Sequence, residues 1–223
     1  MSRKLGIATI GQSPREDIRA MFGSFAPPGT ETVLRGCLDG LSDEKIAARP
    51  PLDGADTLYT RLRGERDVKI SKKHVIERAP GVLASLRGEG CDTLVFACTG
   101  EFPPMPGDEG VIFPSRVLAG LATALLPRGR LGLLIPLSEQ AGKLARKWER
   151  EGLAVFAEPL APSADEDEAR QAAARLGAGR PDLVAMDCMS YTPQTKRAVQ
   201  QAIGVPTLLA ITTIGRVVNE MLA

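Results

Sequence analysis

Several residue types that mark common function classes are scarce in this sequence. Aromatic residues make up 4% of the 223 residues, too few for a surface that stacks on nucleic-acid bases. The formal net charge is +1 and the basic residues are spread along the chain, so we expect neither nucleic acid nor an anionic membrane as a partner. No apolar run approaches the roughly 18 residues that a membrane-spanning helix needs.

Metal ligands and nucleotide-binding motifs are also missing. The chain has one histidine, His74, and its four cysteines form no CxxC motif, so we expect no metal site. Neither GxGxxG nor GxxxxGK[ST] occurs, which disfavours a nucleotide, and we expect no cofactor. The chain enters an apolar strand directly, without the pattern of a signal peptide. We therefore expect a cytoplasmic protein with free thiols.

Short apolar runs alternate with helical stretches along the whole chain. The run "KLGIATI" predicts a buried strand, and the following helix is predicted to have Ser13 as its N-cap and Pro14 as its first residue. The stretch "DTLYTRLRGERDVKI" predicts a hairpin that turns near Gly64. Alternating strands and helices predict an α/β fold with mainly parallel sheets covered on both faces.

The sequence also indicates an internal duplication. "KLGIATIGQS" resembles "RLGLLIPLSE", "DTLVFACTG" resembles "DLVAMDCMS", and "GVIFPSRVLAGLATALL" resembles "GVPTLLAITTIGRVVNEML", in the same order. The members of the last pair are each read as a strand and then a helix, the final helix starting near Thr213. We predict two similar Rossmann-like halves related by a pseudo-two-fold axis, residues 1–115 and 116–212. The C-terminal helix, 213–223, is a candidate to return to the first half.

A cysteine ends the same strand in both predicted halves, six residues after an aspartate. Sites in open α/β sheets form at the carboxyl ends of strands. Inverting a carbon that bears an acidic hydrogen needs a base on one face and an acid on the other, and a thiol with an ordinary pKa near ~8.5 serves in either form. We predict Cys98 and Cys188 as an acid/base pair facing each other across a cleft, and Cys37 and Cys91 as structural. The alternative is that all four are core residues.

A substrate with an acidic carbon usually carries a carboxylate, and the loop "TIGQSPRED" offers contacts for one. Gly11 permits close backbone approach, Gln12 and Ser13 offer donors, and Arg15 stands at a helix N-terminus, where it is suited to a bidentate clamp. Further candidate contacts follow other strands or lie on the hairpin: Arg61, Thr99, Gly100, Ser190, Tyr191, Thr212 and Thr213. Each also has a structural alternative as a helix cap, a solvated side chain or a core residue. His74 is expected to be solvated.

Five segments together resemble the AroM family: "TIGQSPRED", "YTRLRGERDVKIS", "FACTGEF", "MDCMSY" and "GRVVNEMLA". That family is similar in turn to the aspartate/glutamate racemase superfamily, whose members have two similar α/β halves and often two facing cysteines without a cofactor. The resemblance implies Cys98 and Cys188 as acid/base groups and Thr99 as the hydroxyl that follows the first. The usual Cys-Asn-Thr is "CTG" here, and Met189 separates Cys188 from Ser190, so the substrate need not be aspartate or glutamate.

The sequence therefore predicts a cofactor-independent racemase or epimerase that acts on a small amino acid or related carboxylate. One alternative keeps the fold and uses a single cysteine, as an isomerase or decarboxylase does. Another is a ligand-binding or regulatory protein that kept the cleft without catalysis. Members of the superfamily are often dimers, so a homodimer is the expected assembly.

Overall fold

The computed structural model describes residues 3–223, with all of their side chains except those of residues 65 and 143–145. This range contains nine strands: β1 (Lys4–Thr9), β2 (Glu31–Gly36), β3 (Thr57–Arg61), β4 (Asp67–Ser71), β5 (Thr93–Phe96), β6 (Gly129–Ile135), β7 (Leu153–Pro159), β8 (Leu183–Met186) and β9 (Thr207–Leu209). It also contains eight α-helices: α1 (Glu16–Phe25), α2 (Asp43–Ala47), α3 (Lys72–Gly88), α4 (Pro114–Leu125), α5 (Ala141–Trp148), α6 (Glu166–Gly177), α7 (Pro193–Ile203) and α8 (Ala210–Leu222).

The chain divides into two compact units, one of residues up to Ser115 with Ile214–Ala223 and the other of Arg116–Thr213. The first contains a parallel sheet in the order β2-β1-β5 and a separate antiparallel hairpin, β3-β4. The second contains a parallel sheet in the order β7-β6-β8-β9. The predicted α/β class with mainly parallel sheets is confirmed. The pseudo-two-fold axis and the cleft stay predictions.

The two parallel sheets repeat one pairing register. Gly6 of β1 lies opposite Leu94 of β5, and Gly132 of β6 lies opposite Val184 of β8, which are the residues that the sequence repeat aligns. All four strands are buried over most of their length, as expected for parallel strands covered on both faces. The internal duplication is therefore visible in strand order and in register.

The predicted strand "GVIF" is reduced to a single bridge. Ile112 pairs in parallel with Val95, next to β5, where the second unit has the complete strand β9 next to β8. Gly110 adopts a positive φ of 71° and Pro114 begins α4, so few residues are left between them to pair. This bridge nevertheless occupies the place that β9 has in the second unit.

Helix boundaries follow capping chemistry in some places and depart from the prediction in others. Ser71 caps α3 by accepting from the His74 N–H, and Asp165 with Glu168 forms a capping box on α6. Helix α8 begins at Ala210, directly after β9 and earlier than the predicted Thr213, because no glycine or proline separates strand from helix. In the described range, no helix has the length and apolar character needed to cross a membrane.

Helix α1 begins at Glu16, after the predicted start at Ser13 and Pro14. The Ser13 hydroxyl donates to Asp39 at 2.7 Å instead of capping the helix, and Arg15 holds the N-cap position with φ −125° and ψ 78°. The peptide bond between Ser13 and Pro14 is cis. The Ser13 side chain therefore binds the turn after β2 and does not cap α1.

The turn after β2 packs tightly on the loop after β1. The Cys37 N–H donates to the Thr9 carbonyl at 2.8 Å, and the Leu38 N–H donates to the Gly11 carbonyl at 3.0 Å. A Cβ atom on Gly36 would lie 2.4 Å from the Gly11 carbonyl oxygen, closer than real Cβ contacts allow. Glycine is therefore required at the end of β2 because backbone atoms occupy the side-chain space.

We expect Gly36→Ala to lower the free energy of unfolding by roughly 1–3 kcal/mol, the cost of overpacking a site that cannot give way. Gly23→Ala is the matched control: a Cβ at Gly23, inside α1, meets nothing within 4 Å, and the change should stabilise the protein by about 0.5–1 kcal/mol. Urea denaturation followed by circular dichroism measures both variants. Equal stability of the Gly36 variant and the wild type would contradict the close approach.

Candidate functional site

Cys98 is the second residue after β5, at the carboxyl edge of the first sheet. The Ala97 N–H donates to the Ala8 carbonyl at 2.7 Å, which closes the ladder with β1 just before the cysteine. Cys98 is 9% exposed, and its sulfur accepts the Gly100 N–H at 3.3 Å. A backbone donor aimed at sulfur stabilises a negative charge there.

Cys188 has the same arrangement at the end of β8 in the second unit. The Asp187 N–H donates to the Leu134 carbonyl at 2.9 Å, and the Cys188 sulfur accepts the Ser190 N–H at 3.5 Å. Cys188 is 7% exposed. In each unit, the equivalent strand (β5 or β8) is therefore followed by a cysteine whose nearly buried sulfur accepts the N–H of the residue two positions further along the chain.

The two other cysteines lie in a different environment. Cys37 is fully buried, and burial raises its pKa to about 12, although the charge of Arg78 acts in the opposite direction. Burial also raises the pKa of Cys91, which lies beside Gly6 of β1. Both remain protonated thiols near neutral pH, which fits a structural role.

The loop after β1 is held by internal hydrogen bonds. The Gln12 amide donates to the Leu41 carbonyl at 3.0 Å and accepts the Arg63 N–H at 3.3 Å. The Ser13 N–H and hydroxyl both donate to Asp39, at 2.7 Å each. The donors that the sequence assigned to a ligand therefore have protein partners. Asp39, which sequence reasoning missed, organises the loop.

Arg15 forms the predicted bidentate clamp, but its partner is Asp17. The nearly buried guanidinium donates from Nε at 2.9 Å and from Nη2 at 2.7 Å to the two carboxylate oxygens. Burial opposes ionisation of Asp17, yet the bonds and charge of Arg15, with the charge of Arg61, place the pKa of Asp17 below its ordinary value. Glu16 and Asp17 also supply negative charge at the N-terminus of α1, which disfavours a second anion there.

The hairpin β3-β4 lies directly on the loop after β1. A Cβ atom on Gly11 would lie 2.5 Å from Thr60 Oγ1 and 2.6 Å from the Arg61 carbonyl oxygen. A Cβ atom on Gly100 would lie 3.2 Å from Leu58 and 3.4 Å from the Cys98 sulfur. Strand β3 thus brings the loop at Gly11 and the loop at Cys98 together within the first unit.

Arg61 closes β3 and is fixed by a cross-strand ion pair. Its Nε donates to Asp67 at 2.9 Å, and the two residues are partners in the β3-β4 register. Its side chain is 20% exposed. Of the two arginines predicted to bind a carboxylate, Arg61 is the one that lies in the hairpin, with its carbonyl oxygen against Gly11.

The remaining candidates lie in or next to three loops. Thr99 and Gly100 follow the first thiol, and Ser190 supplies the backbone donor to the second. The Tyr191 hydroxyl donates to the Leu160 carbonyl at 2.6 Å in the core of the second unit, so this side chain has a structural role. Thr212 and Thr213 lie in the first turn of α8, and the Thr212 hydroxyl donates to the Leu209 carbonyl at 3.2 Å.

One residue outside the predicted site differs from the sequence expectation. His74 is buried rather than solvated, since α3 turns it inward. Burial, reinforced by the charges of Arg49 and Arg78, lowers the pKa of His74.

Asp187, directly before Cys188, forms a buried ion pair with Lys147, which the sequence analysis did not identify. The one sequence signal for that pair was the contrast between "FAC" and "MDC" in the repeat. Among the described side chains, no three of His, Cys, Asp or Glu are grouped to hold a metal ion.

Solved structures with this architecture have several activities. Glutamate racemase from Francisella tularensis subsp. tularensis SCHU S4, in complex with D-glutamate, is 14% identical with a TM-score of 0.61, covering 99% of this chain and 81% of its own. Maleate isomerase from Pseudomonas putida S16 is 12% identical with a TM-score of 0.61, covering 96% and 90%. Unliganded arylmalonate decarboxylase is 14% identical with a TM-score of 0.62, covering 99% and 92%. This chain therefore has the aspartate/glutamate racemase-like fold.

Sequence comparison identifies the family. No curated protein matches the chain significantly. The family model described as "AroM protein" matches residues 5–222, which include both units, the glycine loop after β1 and both strand-end cysteines. The resemblance of the five sequence segments is thereby confirmed, and the chain belongs to the AroM family.

Proposed function

We propose that this protein is a cofactor-independent racemase or epimerase that acts on a small amino acid or a related carboxylate. The observation that carries the proposal is the matched placement of Cys98 and Cys188. Each lies at the end of the equivalent strand in its unit, and each sulfur accepts the N–H of the residue two positions on. The glutamate racemase with the same fold is consistent with this reaction class.

In the proposed mechanism, one cysteine is a thiolate and the other a thiol. The thiolate takes the proton from the stereocentre, and the electron pair of the C–H bond delocalises into the adjacent carboxyl group. The other thiol then delivers its proton to the opposite face of the carbon. The Gly100 and Ser190 N–H groups stabilise whichever sulfur is negative at each stage. Turnover leaves the two protonation states exchanged, which is the form that the reverse reaction requires.

Arg61 is the proposed contact for the substrate carboxylate. The Asp67 ion pair holds its guanidinium, so little side-chain entropy is lost when a second anion binds. The Arg61 carbonyl oxygen lies against Gly11, so the backbone of Arg61 is fixed at the loop after β1. Arg15 is less suited to this role because its Nε and Nη2 already bind Asp17.

We expect Cys98→Ala and Cys188→Ala each to lower racemisation by roughly 10²–10⁴-fold, the usual contribution of a general acid or base. The assay follows optical rotation and deuterium incorporation in deuterated water. The substrate panel contains both enantiomers of glutamate and aspartate, with maleate and phenylmalonate added to test the other reactions of this fold. Circular dichroism checks that the variants are folded.

Cys91→Ala is the matched control, because it removes a buried thiol from the same unit and should leave the turnover unchanged. A result in which Cys98 and Cys91 variants are equally active would remove Cys98 from the chemistry. Ligand-dependent stabilisation without turnover of any panel member would instead favour the ligand-binding alternative.

A single-cysteine isomerase or decarboxylase is the second candidate. The unequal residues before the two thiols favour it, since Ala97 stands where the second unit has Asp187. Solved structures of the same fold include a maleate isomerase and an arylmalonate decarboxylase. This candidate predicts that one cysteine variant is inactive while the other retains most of its turnover of maleate or phenylmalonate.

We further expect Arg61→Gln to raise KM for the substrate found in the panel by roughly 10–100-fold, with a smaller effect on kcat, because a charge-assisted hydrogen bond to the carboxylate is lost. Arg66→Gln is the control, since Arg66 lies in the same hairpin and pairs with Asp43 on the surface. Steady-state kinetics of both variants measure the difference. Equal KM values for the two variants would exclude Arg61 as the carboxylate contact.

A further inference from the structure

A buried ion pair lies next to Cys188. Lys147 Nζ is 3.1 Å and 3.3 Å from the two carboxylate oxygens of Asp187, and the side chains are 3% and 0% exposed. The Trp148 indole N–H donates to Asp187 Oδ2 at 3.2 Å, and the Lys147 ammonium lies 5.0 Å from the centroid of that ring. Helix α5 therefore presents two consecutive side chains to the carboxylate at the end of β8.

Removing two charges from water costs free energy that their attraction only partly offsets. The first unit shows that the fold does not need this pair. Ala97 occupies the position equivalent to Asp187, and its N–H makes the same backbone bond to the neighbouring central strand. A strand of this type thus ends correctly with a methyl group before the cysteine. The charges of Asp187 and Lys147 are therefore not required to close the sheet.

We propose that Lys147 and Asp187 are a positioning pair for Cys188: the Lys147 ammonium neutralises the Asp187 carboxylate, so that a negative charge on the Cys188 sulfur is not opposed by the residue before it. The role rests on the proposed function, in which both thiols transfer protons. The Asp187 carboxylate and the Cys188 sulfur belong to consecutive residues, whose Cα atoms are ~3.8 Å apart. The carboxylate opposes a negative charge on sulfur, and the ammonium cancels that opposition.

Several other titratable groups of the second unit have partners of their own. Glu158 on β7 forms an ion pair with Arg175 on α6, and Arg150, after α5, donates to the Leu126 carbonyl. Asp182, before β8, accepts the Arg130 N–H at the opposite end of that strand. The Tyr191 hydroxyl donates to the Leu160 carbonyl. Asp187 is the charged residue directly before Cys188 in the chain, and Lys147 reaches it from α5.

The pair can be tested without a substrate, through the pH dependence of thiol alkylation. Wild type, Lys147→Met, Asp187→Asn and the double variant are treated with iodoacetamide across a pH series, and the modification of Cys188 and Cys98 is measured by peptide mass spectrometry. Lys147→Met leaves an uncompensated carboxylate and should raise the pH midpoint for Cys188 by roughly one unit. Asp187→Asn leaves an uncompensated ammonium and should lower it by a similar amount. The double variant should return close to the wild-type midpoint.

Cys98 in the same molecules is the internal control, and its midpoint should not move. A purely structural pair would give a different result: both single variants would alkylate faster at every pH, with the Cys188 midpoint unchanged. That outcome, or parallel shifts of both cysteines, would overturn the proposal. If one single variant does not fold, the other still tests the proposal through the direction of its Cys188 midpoint shift. The double variant is the folded neutral reference, because replacing a buried pair by neutral groups of similar size is often well tolerated.

The outcome is distinguishable from failure of the racemase proposal. Absence of isotope exchange with opposite midpoint shifts in the two single variants would leave the positioning pair intact and remove the two-thiol reaction. Isotope exchange that depends on both cysteines, with no shift of the Cys188 alkylation midpoint, would support the two-thiol reaction and exclude the positioning role of the Lys147–Asp187 pair.

Discussion

The arrangement of this protein depends on one backbone hydrogen bond that each unit makes in the same place. The residue before the cysteine donates to the central strand, Ala97 to Ala8 and Asp187 to Leu134. Beyond that bond the chain leaves the sheet, so the cysteine is the first residue free to turn. Its sulfur then accepts the N–H of the second residue of the loop. A one-residue slip in either ladder would send the thiol to the other face of the sheet.

The regular elements were accessible from the sequence, since they depend on local patterns. Apolar runs gave the buried strands, Gly64 marked the hairpin turn, and the repeat indicated the shared register of β1-β5 and β6-β8. The structure departs from the prediction where a residue that is distant in the sequence determines the local conformation. Ser13 has the chemistry of a helix cap, but Asp39 engages it, and Asp39 is brought to it only by the pairing of β2 with β1.

In the candidate site, too, the features that depend on local sequence were predictable and those that depend on distant residues were not. The positions of both thiols at strand ends follow from sequence, because they need only the strand boundaries. The partner of Arg15 and the burial of His74 do not, because they depend on which face of a helix packs inward. Lys147 and Asp187 are far apart in the sequence, and only the folded position of α5 near the end of β8 shows that they are partners. The sequence alone identifies the reactive thiols, because their placement depends on nearby residues. The charged side chains around them come from distant parts of the chain and are identified only in the folded structure.

The indole of Trp148 has a further consequence, because it is the only tryptophan in the chain. Its N–H donates to Asp187, so the whole intrinsic tryptophan fluorescence of the protein originates at the carboxylate beside Cys188. An indole that loses a charged hydrogen-bond partner or gains water changes its emission. The second unit therefore carries a built-in optical reporter, and events at that strand end can be followed in real time without an attached dye.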